Sequence, residues 1–254
     1  ALDDDEIVER DYLETARHFV GREHGTDRVL GLAGFYVDAN GSPALPEGPR
    51  TGNIFLDKSA LMNKVVRALQ RSSGRLVGTP VAFGGNMVFH TDLFARVGFD
   101  PGLTRGEDID YLINARLQGH SFWFDKELTV THLPPKAYQS SPYAKLREDV
   151  IRFICEREKL KQAGADPAQF DPYPGRFLRD DVEAHALAAL RQVATPADVA
   201  RTGSPDEIVV RAQHRARESP ARYLAFAKRW PWLMDALARD GFLQDHWQAK
   251  MEMS

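Results

Sequence analysis

The sequence predicts an α/β domain, a mixed central sheet flanked by helices, followed by an all-helical C-terminal extension. Three observations carry this. From Ala1 to about Pro135, short β-like runs alternate with helical patterns, as in a layered α/β structure. After Pro135 the β-like runs stop and helical spacing takes over. Three Ser-Pro pairs, Ser141-Pro142, Ser204-Pro205 and Ser219-Pro220, then each place a capping hydroxyl before a proline suited to a first helical turn. The change of texture divides the chain into residues 1–140 and 141–254.

Taken in order, residues 28–37 read as one buried strand, closed by a turn at Asn40-Gly41. The Gly- and Pro-rich stretch 38–53 is a long loop, and loops of that length often carry function. Leu61, Val65, Ala68 and Leu69 recur at helical spacing. Short strands are predicted near 75–78, 86–90, 121–124 and 127–132. Between them Ile109, Leu112, Ile113 and Leu117 form one apolar face of a helix over 107–118, with Gly119 closing it. In the extension, Tyr143, Leu146, Val150, Ile154 and Cys155 mark a buried helix face that Gly164 stops. The run from Asp171 to Gly175, with Pro172 and Pro174, is a rigid connector.

Composition bounds the function. The formal charge of −3 gives no electrostatic reason to expect nucleic acid as a main partner. A single cysteine, Cys155, excludes an internal disulfide framework and fits a reducing compartment. No run of apolar residues is long enough to span a bilayer. These features lead us to expect a cytoplasmic protein, with peripheral membrane attachment as the variant. The chain opens at Ala1 rather than Met and reads as a fragment.

Four clusters could carry chemistry. Asp3, Asp4 and Asp5, with Glu6, repel one another unless a cation offsets them, and alternate residues Asp3 and Asp5 would share one side of an extended segment. The competing reading is a helix N-terminus, where acids complement the dipole. Gly84-Gly85-Asn86 stands at a strand start, where a glycine pair lets backbone approach a ligand or simply makes a bulge. Glu107, Asp108 and Asp110 begin the amphipathic helix, suited to general-base work or to capping, and the apolar face should leave Asp108 and Asp110 on the opposite side. His132 ends a strand before Pro134-Pro135 and is either a metal ligand or a satisfied polar residue.

The joint order of these clusters is more specific than any one of them. Acidic triplet, Gly84-Gly85-Asn86-Met87-Val88-Phe89, Gly106-Glu107-Asp108-Ile109-Asp110-Tyr111-Leu112 and Thr131-His132-Leu133-Pro134 resembles the GT-A fold glycosyltransferases, above all their family two. The resemblance covers roughly the first 135 residues. It implies that Asp3 and Asp5 match the Asp-x-Asp motif beside Asp4, with Asp5 the direct ligand of Mg²⁺ or Mn²⁺. It implies His132 as a further metal ligand, Asp108 as the base with Glu107 on the acceptor side, and Gly84, Gly85 and Asn86 around the donor sugar. The partners expected are a nucleotide-diphosphate sugar and an acceptor hydroxyl. The nucleotide-binding βαβ half that precedes Asp-x-Asp in the family is absent, so the fragment alone is expected to be inactive. Lys228-Arg229-Trp230 resembles the Gln-x-x-Arg-Trp motif of processive synthases, but Phe226 holds the Gln position, and non-processive transfer is the expectation. The alternatives are a metal-dependent nucleotidyltransferase or a non-catalytic interaction module. The aromatics Tyr223, Phe226, Trp230, Trp232, Phe242 and Trp247 make the extension either an oligomerisation surface or a seam against the first part.

Overall fold

Residues Gly31 to Phe35 are all buried, as expected for a strand covered on both faces. The computed structural model describes residues 6–38, 40–42, 48, 50–133, 141–173 and 175–240. The first part contains β1 (Glu6–Val8), α1 (Tyr12–Arg17), β2 (Glu23–His24), β3 (Asp27–Arg28), β4 (Gly31–Val37), α2 (Lys58–Arg71), β5 (Leu76–Gly78), β6 (Met87–Phe89), α3 (Thr91–Phe94), α4 (Glu107–Leu117) and β7 (Phe122–His132). The second contains α5 (Pro142–Gln162), α6 (Pro167–Phe170), α7 (Val182–Val193), α8 (Pro196–Thr202) and α9 (Pro205–Ala238).

The sheet is mixed, as expected. β4 and β7 run parallel at its centre, and β6 lies antiparallel on the far side of β4. The other side of β7 is shared: β5 pairs with its first part, Leu76 opposite Asp125, and β1 pairs with its end, Glu6 opposite His132. One face packs Ala33, Phe35 and Phe124 on Val66, Leu69 and Leu112. The other packs Leu32, Leu128 and Val130 on Tyr12 and Ala16.

Two expectations for strands are corrected. The span 28–37 is not one strand: Asp27–Arg28 turns back on Glu23–His24 through Gly25 at φ 63°, and the central strand begins at Gly31. Residues 121–124 and 127–132 are one strand, interrupted in register rather than broken. The charged residues Asp125 and Lys126 lie between the two predicted strands. Here the Asp125 carboxylate is buried and held by Arg75 at 2.8 and 2.9 Å. The register against β4 slips at this point, from Ala33 opposite Phe124 to Phe35 opposite Thr129. Gly34 faces the slip, where a Cβ would collide with the Leu128 carbonyl and the Asn86 amide.

The two parts share a core. Ile54, Phe55, Ile109 and Ile113 from the first form one apolar cluster with Val150, Phe153, Phe177, Leu190 and Ala212 from the second. Helix α4 is thus double-sided, with Tyr111 and Leu112 toward the sheet and Ile109 and Ile113 toward α5. Ser141 and Ser204 cap α5 and α9 as expected, and Ser204 completes a capping box with Glu207. Ser219-Pro220 does not start a helix: α9 runs through it for 34 residues. Ala212, Ala216, Pro220 and Tyr223 recur at helical spacing and are all buried, so packing offsets the hydrogen bond that Pro220 cannot donate.

Candidate functional site

Glycines bring the first components together. Gly106 precedes α4 with φ 72°, a conformation that favours glycine, and no side chain caps the helix there. A Cβ on Gly106 would collide with the Arg152 guanidinium, so this position admits the arginine directly beneath the helix start. Asp108 follows two residues later, and its Oδ1 accepts the Ile109 N–H at 2.8 Å. Beside it stands Gly84, close enough that a Cβ there would lie 3.5 Å from the Asp108 Cβ. The two lie side by side in the wall of a cleft of about 420 Å³, lined also by Phe83, Asn63, Lys58, Arg105, Asp149 and Tyr173.

The cleft is densely charged. Lys58 bonds Asp149 at 2.6 Å, and Arg105 approaches the same carboxylate at 3.5 Å. Burial pushes the Lys58 ammonium down to about 8, with Asp149 opposing. Burial alone would raise Asp149, but Lys58 and Arg152 outweigh it and hold the carboxyl below its usual range. Asp108 shifts the other way: burial raises it, and the Arg152 charge offsets this only in part. Arg152 itself is 3 % exposed, and its Nε and Nη2 have no hydrogen-bond partner among the described residues.

Arg152 belongs to a stripe of charges on a buried face of α5: Asp149, Arg152, Glu156 and Lys159. Glu156 lies 3.6 Å from the Arg152 Nε and is fully enclosed. Burial, only partly countered by Arg152, pushes its carboxyl up to about 8. From its ordinary value of 4.5 up to that value the native state keeps a proton that the unfolded chain has released. Stability should therefore fall as pH rises through this window. Glu156→Gln is expected to flatten that fall in urea unfolding, and an unchanged slope would show Glu156 ionised beside Arg152 throughout.

The residues expected from the sequence are placed as follows. Glu107 is exposed on the cleft rim beside Asp108. Asp110 does not point away from the core: it is 1 % exposed and ion-paired with the equally buried Lys159. Gly85 donates its N–H to the Tyr36 hydroxyl at 3.0 Å. Tyr36 in turn stacks on Phe83 at 4.6 Å and, in parallel, on the His132 ring at 4.7 Å. This aromatic stack connects the end of β7 to the cleft wall. Asn86 is fully enclosed, donating to the Phe35 and Leu128 carbonyls at 3.2 and 3.1 Å and accepting from the Tyr12 hydroxyl at 2.9 Å. It braces the register slip in β7, and its side chain is committed to that task. Asp3, Asp4 and Asp5 lie outside the described residues, so their distance to His132 is not defined; the strand that follows them, β1, does pair with the His132 end of β7. Among the described residues no three His, Cys, Asp or Glu side chains converge to hold a metal ion.

Lys58, Asp149, Arg152 and Tyr173 were not singled out from the sequence. The signal that could have found the four members of the stripe is their i, i+3 and i, i+4 spacing on a helix whose neighbouring positions are apolar. Of the aromatics in the extension, Tyr223 is buried and donates to the Gly98 carbonyl at 3.1 Å, and the Trp230 Nε1 donates to the Phe94 carbonyl at 2.7 Å. These two and Phe226 form the intramolecular seam; Trp232 stays exposed, and Phe242 and Trp247 lie outside the described residues. Compared with protein-family models and with curated proteins, the chain matches none.

Proposed function

We propose that this chain is the metal- and acceptor-binding part of an enzyme that transfers a sugar, non-processively, from a nucleotide-diphosphate sugar to an acceptor hydroxyl, with the Gly84–Asp108 cleft as the place of reaction. The observation that carries the reading is the contact of Gly84 with Asp108, 24 chain positions apart, in the wall of one charged cleft. Asp108 is raised toward the range where a carboxylate accepts a proton effectively, and it stands beside open volume rather than in a closed ion pair. Glu107 on the rim and the Lys58 and Arg105 charges can orient a polar acceptor. Asp110 is excluded as the base, because its carboxylate is committed to Lys159 and Asn114.

The described residues alone do not make a metal site. The Mg²⁺ or Mn²⁺ part of the reading rests on Asp3 and Asp5 and on the chemistry: a divalent cation would neutralise charge developing on the leaving diphosphate. The test is turnover of a nucleotide-sugar panel by the intact protein, with and without these metals. Metal-dependent release of nucleoside diphosphate, lost in Asp5→Ala, is expected. Release of pyrophosphate from nucleoside triphosphates instead would favour nucleotidyl transfer, and no turnover with any donor would overturn the enzyme reading.

A further inference from the structure

We propose that the outward face of α9 docks the protein onto an anionic lipid surface, independently of what the cleft does. Between Arg211 and Arg229 six cationic side chains face a single acid, Glu218, a net +5; at −3 overall, the rest of the chain carries −8. Positive charge is therefore concentrated in the middle of α9, whose ends carry the acids Asp206, Glu207 and Asp235, and a concentration of that kind orients a molecule toward a negative surface. Arg222 is paired with Glu218 at 2.7 Å, whereas Arg217, Lys228 and Arg229 are exposed and have no carboxylate partner among the described residues.

Placement of the aromatic residue decides the kind of surface. Trp230 packs inward on Phe94, with ring centroids 5.8 Å apart. Trp232, two residues on, lies about 200° round the helix, on the side away from the seam. It is 73 % exposed. Lys228 and Arg229 precede it by four and three residues, and with Arg217 they fall within about 60° of it on the helix; the one acid in the same arc, Asp235, is paired with Arg239 at 2.5 Å. Leu233 and Leu237 at the same end of α9 are exposed too. An indole flanked by cations suits the headgroup layer, where the ring leaves water while the charges meet lipid phosphates. Nucleic acid would satisfy the cations but leave the exposed leucines in water. Among the described residues no helix is long and apolar enough to cross a membrane, so the contact is one of lying on the surface.

The test is co-sedimentation of the intact protein with phosphatidylcholine vesicles, with and without phosphatidylglycerol. Binding is expected only to the anionic vesicles, weakened by salt, with a blue shift of tryptophan emission. Lys228→Gln with Arg229→Gln, and separately Trp232→Ala, should each weaken it by at least ~10-fold, since each cation near an anionic surface contributes appreciably, while the thermal midpoint holds. These side chains are exposed, so the variants should fold. Equal binding to neutral vesicles, wild-type binding by both variants, or displacement from vesicles by a short random-sequence RNA would overturn the proposal.

Discussion

Asp108→Asn should lower turnover by ~10²–10⁴-fold, the usual contribution of a positioned general base, with donor affinity nearly unchanged. The substitution is close to isosteric and keeps the acceptor that the Ile109 N–H uses. A purely structural Asp108 would therefore tolerate it. The pH behaviour separates the two roles further. Burial raises the Asp108 carboxyl, so the ionised base should appear only above the ordinary carboxylate range, and turnover should climb with pH through that raised value. Stability should move the opposite way. A raised folded value gives stability that is complete below the unfolded value and is lost as pH rises through the folded one. The permanently neutral Asn should thus leave the fold as stable as the wild type or more so at neutral pH. Steady-state kinetics and urea unfolding of the same preparation read both effects. Normal turnover by Asp108→Asn would remove the base from this position.

Lys159→Met should cost ~3–5 kcal/mol of stability, the range for removing one partner of a buried ion pair. Lys159 is 1 % exposed and pairs with Asp110, also 1 % exposed, and with Asp100 at 3.5 Å. Its ammonium also lies 4.5 Å from the centre of the Tyr223 ring. One side chain thus joins α4, the loop after α3, α5 and α9. Removing it leaves two carboxylates enclosed, with Asn114 still donating to Asp110 at 2.7 Å. Adding Asp110→Asn and Asp100→Asn to Lys159→Met should recover much of the loss, because the uncompensated charges are then gone. Denaturant midpoints of the single and triple variants test this. A loss below ~1 kcal/mol in the single variant would mean that water reaches the carboxylates and that the network is not sealed.

What was legible in the sequence is local. The apolar positions Ile109, Leu112 and Ile113 predict α4 almost to the residue, because helical periodicity needs only near neighbours. Ser141 and Ser204 predict two helix starts for the same reason: a cap is a bond across three residues. The order of short motifs singled out Gly84 and Asp108 together, and the fold sets them side by side.

Tertiary structure decided the rest. Ser219-Pro220 carries the same local signal as the other two pairs, yet α9 continues, since burial of Ala216, Pro220 and Tyr223 outweighs one missing hydrogen bond. Asp125 falls between two predicted strands until Arg75, 50 positions away, pairs with it inside one. Asn86 reads as a ligand contact until a register slip in β7 claims its amide. Most of all, the shared spacing of Asp149, Arg152 and Lys159 marks one helix face but does not by itself say that this face is buried. Their role depends on desolvation and pairing, which are set by every surface packed around them, and those surfaces come from distant segments of the chain. The sequence by itself determined the α/β class, helix α4 and two capped helix starts; the packing of α4 and α5 determined which charges share the cleft.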